Sequence, residues 1–139
     1  MVKIKVYQSA QIYARPELVK RLKFLTNGGW GRVSSSFHHD LSCERAGTFF
    51  LAWEKGEVIG WSLATPRYGA EGTQVGVYVA RKHRGKGVAD RLIVRAKKHL
   101  GWKLEYWKEN RETLVACPWT SAGVRLFAKH FIPTRTFWC

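Results

Sequence analysis

The run from Val77 to Ala89, VYVARKHRGKGVA, holds the residues best suited to chemistry. Within it Arg84-Gly85-Lys86-Gly87 alternates cation and glycine, with Val88 and Ala89 directly behind. A valine-rich alternating stretch, Gln74 to Ala80, precedes them, and an apolar-periodic segment follows from Val88. That order reads as strand, turn and helix. The first N–H groups of such a helix have no partner within it and point outward. The helix dipole adds partial positive charge at the same end. Gly85 and Gly87 can take φ > 0 and let a ligand approach the backbone. Arg81, Lys82, Arg84 and Lys86 surround the turn with charge. The chemistry these residues suit is the cradling of a pyrophosphate.

The elements that must position this turn are legible on either side of it. Lys3 to Tyr7 alternates as a first strand. Pro16 suits the first turn of a helix, and Leu18, Leu22 and Leu25 give that helix an apolar face. Glu17, Lys20, Arg21 and Lys23 fall mostly on its other sides, and Asn27-Gly28-Gly29 ends it. Trp30 to Arg45 admits a short helix or an ordered loop. Thr48 to Glu54 and Val58 to Thr65 read as a hairpin turning at Lys55-Gly56. The alternation puts Phe49, Leu51 and Trp53 on one face of the first strand, and Ile59, Trp61 and Leu63 on one face of the second. Pro66 and Gly69 to Gly72 form a break, after which Val75, Val77 and Val79 line one strand face. The helix beyond the turn carries Val88, Leu92, Ala96 and Leu100 in steps of four and ends at Gly101, with Arg91, Arg95 and Lys98 on its other sides. Gly101 to Glu112 takes no assignment. Thr113 to Cys117 reads as a strand, Ser121 to His130 as a helix broken by Pro133, and Thr134 to Trp138 as a closing strand. Hairpin strands followed by crossover helices imply a mixed sheet with helices packed on it, the α/β (α+β) class.

Composition bounds the function. A chain of 139 residues suits one domain, 1–139, with a proper core. Lys and Arg number 24 against 10 Asp and Glu, a formal +14, which points to an anionic partner or to plainly solvated basic faces. No apolar run approaches the roughly 18 residues of a membrane helix. The start, MVKIKVYQ, lacks the apolar core of a signal peptide. Cys43, Cys117 and Cys139 are odd in number and widely spaced, as free thiols in a reducing cytoplasm would be. His38-His39-Asp40 with Cys43 lacks common zinc spacing, so no metal is expected.

The element order and the central turn resemble the GNAT-type N-acetyltransferase superfamily. Its signature, Q/R-x-x-G-x-G/A, is filled at every fixed position by Arg84-Gly85-Lys86-Gly87-Val88-Ala89. The V-x-V upstream, the amphipathic helix downstream and the preceding hairpin strengthen the match. Ala122 to Phe131, AGVRLFAKHF, looks like the family's A-x-x-L-Y-x-K-x-G-F helix end. The resemblance covers nearly the whole chain. It implies a mixed, mostly antiparallel central sheet with helices on both faces.

It also implies a cofactor, acetyl-CoA, as acetyl donor. Backbone N–H groups from Gly85 through Ala89 (Gly85, Lys86, Gly87, Val88, Ala89), beside Arg84, would hold its pyrophosphate. Val77, Tyr78 and Val79 would pair with the pantetheine arm, and an N–H near Val79 would polarise the thioester carbonyl. Ser121 would add a polar contact. An amine then attacks the thioester, and CoA thiolate leaves. The acceptor is left open: a small molecule, a protein or an aminoacyl-tRNA. Many family members protonate the thiolate with a Tyr on the last helix; here that position is Phe127, which has no proton to give. A thiol of pKa about 8.5 is a tolerable leaving group without help, although general acids typically contribute about 10²–10⁴-fold. Tyr78 is the substitute acid or a core residue, and Glu71 the base or a solvated carboxylate. The His38–Cys43 segment precedes the second strand, where the family places acceptor contacts. The competing expectation, from the charge and Phe127, is a basic nucleic-acid-binding or inhibitory module on the same fold. Trp102, Tyr106 and Trp107 would stack bases or be buried. A homodimer fits either reading.

Overall fold

The computed structural model describes residues 1–27, 41, 44, 46–66 and 73–100. Their elements run β1 (Lys3–Gln8), α1 (Ser9–Tyr13), α2 (Pro16–Asn27), β2 (Thr48–Glu54), β3 (Glu57–Pro66), β4 (Thr73–Val79), one 3-10 turn (Arg81–His83) and α3 (Val88–Leu100). The four strands form one antiparallel sheet in the order β1-β2-β3-β4. Successive side chains of a strand point to opposite faces, and β2 shows both. Phe50 and Ala52 join α3 in one core cluster, while Phe49 and Leu51 join α1 and α2 in another. The fold is thus mixed α/β, with helices on both faces of the sheet. Among the described residues no helix is long and apolar enough to cross a membrane.

The hairpin forms where the sequence places it, and its turn shows why. Lys55 and Gly56 both take positive φ, 51° and 76°. That is the type I′ geometry whose twist matches the flanking strands. One expectation is corrected here. Ile59 does not share a face with Trp61 and Leu63; it packs with the α3 cluster, and they pack with the α2 cluster. The register explains it: Ala52 pairs with Gly60 but Trp53 pairs with Val58, so Ile59 is an extra residue in a β-bulge. One inserted residue inverts the alternation on its far side.

The two helices differ in how far they were legible. α2 buries Leu18, Leu22 and Leu25 as its spacing requires. Arg21 does more than face solvent. Its Nε donates to the Val58 carbonyl at 2.9 Å and its Nη2 lies 2.7 Å from Glu57 Oε1, tying α2 to the hairpin end. α1 was not anticipated, because five residues are too few to display a period. It follows β1 without a linker, with the Gln8 N–H donating to Gln11 Oε1 at 2.8 Å and the Ser9 N–H to the Gly47 carbonyl at 3.1 Å. Ile12 is its buried residue. Leu41 is buried against the α2 cluster. The rest of Trp30 to Arg45 apart from Glu44, the Gly69–Gly72 break, the expected strands Thr113–Cys117 and Thr134–Trp138, the Ser121–His130 helix and Gly101–Glu112 lie outside the described residues.

Candidate anion-binding site at the end of β4

β4 is the last strand of the described sheet, in unbroken register with β3 from Pro66↔Thr73 to Gly60↔Val79. The Ala80 N–H continues that pairing, donating to the Ile59 carbonyl at 2.7 Å. Backbone groups of alternate residues point the same way along an antiparallel strand. Ala80 and Tyr78 therefore face β3, and the N–H and C=O of Val77 and Val79 face away from it. The Val79 carbonyl accepts from Arg84 Nε at 3.0 Å. The Val79 N–H stays on that same outward edge.

The chain then turns into α3. His83 N–H donates to the Ala80 carbonyl at 2.9 Å, and Arg84 N–H to the Arg81 carbonyl at 3.3 Å. Gly85 and Gly87 both take φ of +79°, the left-handed region closed to most side chains. A Cβ at either glycine would meet open space, so it is the backbone turn that selects glycine here. The first turn of α3 closes with the Arg91 N–H on the Gly87 carbonyl at 3.1 Å. Among the described residues no backbone carbonyl accepts from the N–H groups of Gly85, Lys86, Gly87, Val88 or Ala89. These amides sit at the positive end of a helix of 13 residues. Arg81, Lys82, Arg84 and Lys86 are all exposed around them. A pyrophosphate fits such a donor set without any further group.

What fixes this turn is packing beneath it. Val88 is buried and Ala89 half-buried, so the cradle's last two residues are anchored in the α3 cluster while Gly85 to Gly87 stay exposed. Gly60 makes the anchoring possible. A Cβ there would lie 3.1 Å from the Tyr78 carbonyl oxygen and 3.3 Å from Val79 Cγ2 and Val88 Cγ1. Sequence reasoning missed Gly60, since a glycine inside a strand signals close backbone approach without saying to what. It also missed the return of Arg84 onto β4, for which the sequence holds no signal.

The cofactor-binding residues expected on β4 and the turn, Val77, Tyr78, Val79 and Arg84 to Ala89, are thus brought together at one strand end. Tyr78 faces the opposite side of the sheet from Val77 and Val79. It is half-buried and stacks on Trp61 at 5.2 Å between centroids with 28° between planes. Trp61 stacks on Phe49 at 5.9 Å, and Phe49 meets the edge of Tyr13 at 5.9 Å. Glu71, Ser121, Phe127 and the His38-His39-Asp40-Cys43 group lie outside the described residues.

Residues 15–114 match the model of the acetyltransferase (GNAT) family. No curated protein matches the chain in sequence. Among solved structures it is similar to the catalytic domain of the Tetrahymena GCN5 histone acetyltransferase in complex with coenzyme A, with a TM-score of 0.69 and 13% identity, covering 98% of this chain and 80% of that one. It is also similar to an aminoglycoside 6′-N-acetyltransferase complexed with coenzyme A, with a TM-score of 0.56 and 19% identity over 73% of this chain. The match spans only 56% of that enzyme's length. A GNAT family acetyltransferase from Brucella melitensis in complex with acetyl-CoA has a TM-score of 0.54 and 20% identity, covering 72% of this chain and 68% of that one. At these identities the likeness concerns the fold.

Proposed function

The chain belongs to the acetyltransferase (GNAT) family, and on that premise we propose that it transfers the acetyl group of acetyl-CoA to a primary amine by direct attack on the thioester. The observation that carries this reading is the row of backbone amides from Gly85 to Ala89, without carbonyl partners among the described residues, at the N-terminus of α3.

In this reading those amides hold the pyrophosphate, and Arg81, Lys82 and Lys86 offset its charge. Arg84 is committed to the Val79 carbonyl, so it shapes the turn and screens the anion from one side. The outward backbone groups of Val77 pair with the amides of the pantetheine arm. The Val79 N–H, last on the same edge, would be the donor available to a bound thioester oxygen, where one such donor is worth roughly 3–4 kcal/mol of activation free energy. Bound there, acetyl-CoA supplies an electrophilic carbonyl. The attacking amine must be neutral, so a base or a water must take its proton. We assign that role to Glu71 and protonation of the leaving sulfur to Tyr78, with Ser121 as a further polar contact to the cofactor.

Titration calorimetry with acetyl-CoA tests the premise: saturable binding in the micromolar range is expected, and no heat at high micromolar concentration would sink it. A panel of amine acceptors, scored by the mass of the products, then tests transfer. Loss of kcat in Tyr78→Phe at unchanged KM for acetyl-CoA would support the assigned acid.

A further inference from the structure

The α3 helix carries more positive charge than its own N-terminal anion can use. Its solvent-facing stripe is Arg91, Val94, Arg95 and Lys98, at the i, i+3, i+4, i+7 spacing of one helix face. Arg91 and Lys98 are exposed, Arg95 is half-exposed, and Val94 is 55% exposed between them. None of the three cations has a carboxylate partner among the described residues. The one acidic residue of α3, Asp90, lies in its first turn. A helix face that serves only for solubility usually interleaves Glu with Lys four residues apart, because such pairs stabilise it. Here Arg91 and Arg95 repel at i, i+4, and Arg95 and Lys98 at i, i+3, with nothing in the described fold to offset them. At about 1.5 Å rise per residue, Arg95 and Lys98 stand about 12 and 16 Å along the axis from Gly87. A pyrophosphate held by the cradle amides is out of their reach.

We propose that this face of α3 is a docking surface for the phosphate backbone of an RNA. The three cations match a line of phosphates by charge, and contacts to phosphates fix position without carrying sequence information. Binding is therefore independent of sequence and dominated by counterion release. The choice of RNA among polyanions rests on the acetyltransferase reading: through an aminoacyl ester an RNA can carry a primary amine to the thioester edge of β4. The docking surface itself does not rest on it.

The test compares two triple variants of the whole chain by anisotropy with a labelled RNA hairpin, between about 50 and 200 mM salt. Arg91→Gln/Arg95→Gln/Lys98→Gln removes the stripe; Lys3→Gln/Lys20→Gln/Lys55→Gln removes the same charge from exposed positions elsewhere. Wild-type binding should weaken steeply with salt. The stripe variant should lose about tenfold or more in affinity and two to three units of log–log salt slope, roughly one per phosphate contact. The control triple should stay within about threefold of wild type and lose less than one unit of slope. Thermal melts establish that each variant is folded, and single Arg95→Gln replaces the stripe triple if it is not. Three results overturn the proposal: no RNA binding by wild type, equal losses in the two triples, or heparin or duplex DNA binding that depends on the stripe while RNA binding does not. Acetyl-CoA titrations run in parallel separate the two claims. RNA binding that depends on the stripe, without acetyl-CoA binding, retires the acetyltransferase reading and leaves the docking surface standing. Acetyl-CoA binding without RNA binding does the reverse.

Discussion

The two faces of β3 are built from opposite kinds of residue. Toward α1 and α2 it presents Trp61 and Leu63, both fully buried, with Trp61 stacked between Phe49 and Tyr78 and Phe49 meeting Tyr13 edge to face. Toward α3, past the bulge residue Ile59, it presents Gly60, Ser62 and Ala64, and at Gly60 the absent side chain leaves room for Val79 and Val88 to close in. The large face makes a rigid wall. The small face lets the first residue of α3 settle against the strand, so the amides before it emerge at the end of β4. The space left at Gly60 helps decide where the candidate anion site stands.

The comparison breaks hardest at Trp61. Replacing it with Ala should cost about 3–5 kcal/mol by cavity formation and lost contacts. Urea unfolding will show it as a lower midpoint, and a cost under about 1 kcal/mol would mean that the aromatic face is not a structural wall. Gly60→Ala comes next, at about 1–3 kcal/mol for overpacking. Its new Cβ meets the Tyr78 carbonyl and Val88, so acetyl-CoA affinity should fall about tenfold as the cradle shifts. Equal binding by wild type and variant would separate Gly60 from the site. Gly87→Ala should cost about 1–2 kcal/mol, because a side chain is strained at φ +79°. Gly87→Asn should recover part of that loss, since Asn tolerates the left-handed region; calorimetry and melting read both. Ser62→Ala should have the smallest effect and the opposite sign. The Ser62 Oγ is fully buried and has no hydrogen-bond partner among the described residues. Its removal should leave stability unchanged or raise it by about 1 kcal/mol. A clear loss in the melting curve would reveal a partner for that hydroxyl.

Much of this was legible beforehand, for identifiable reasons. Thr48 to Glu54 and Val58 to Thr65 announced a hairpin because Lys55-Gly56 is a turn with a mechanism, and the strands form there within a residue or two. The leucines of α2 and Val88, Leu92 and Ala96 of α3 mark buried faces because a helix repeats its side-chain directions over about 3.6 residues. Ile59 was misassigned because a bulge breaks the strand period and leaves no mark in residue type. Arg21 read as a surface cation, yet it holds the hairpin end, since a long side chain can reach a carbonyl that lies near only in the folded chain.

Arg84 to Ala89 by themselves determined the chemistry of the cradle. Cations, two glycines and the start of a helix mark a candidate anion site from local backbone physics alone, because its donors, dipole and φ angles all arise within a few consecutive residues. Its position was decided elsewhere. That the cradle opens beside the outward amides of Val77 and Val79 depends on the phase of the β3–β4 pairing, on the space left at Gly60, and on Arg84 folding back to Val79. Those are contacts between residues distant in the chain or turned by its path, and only packing in three dimensions sets them.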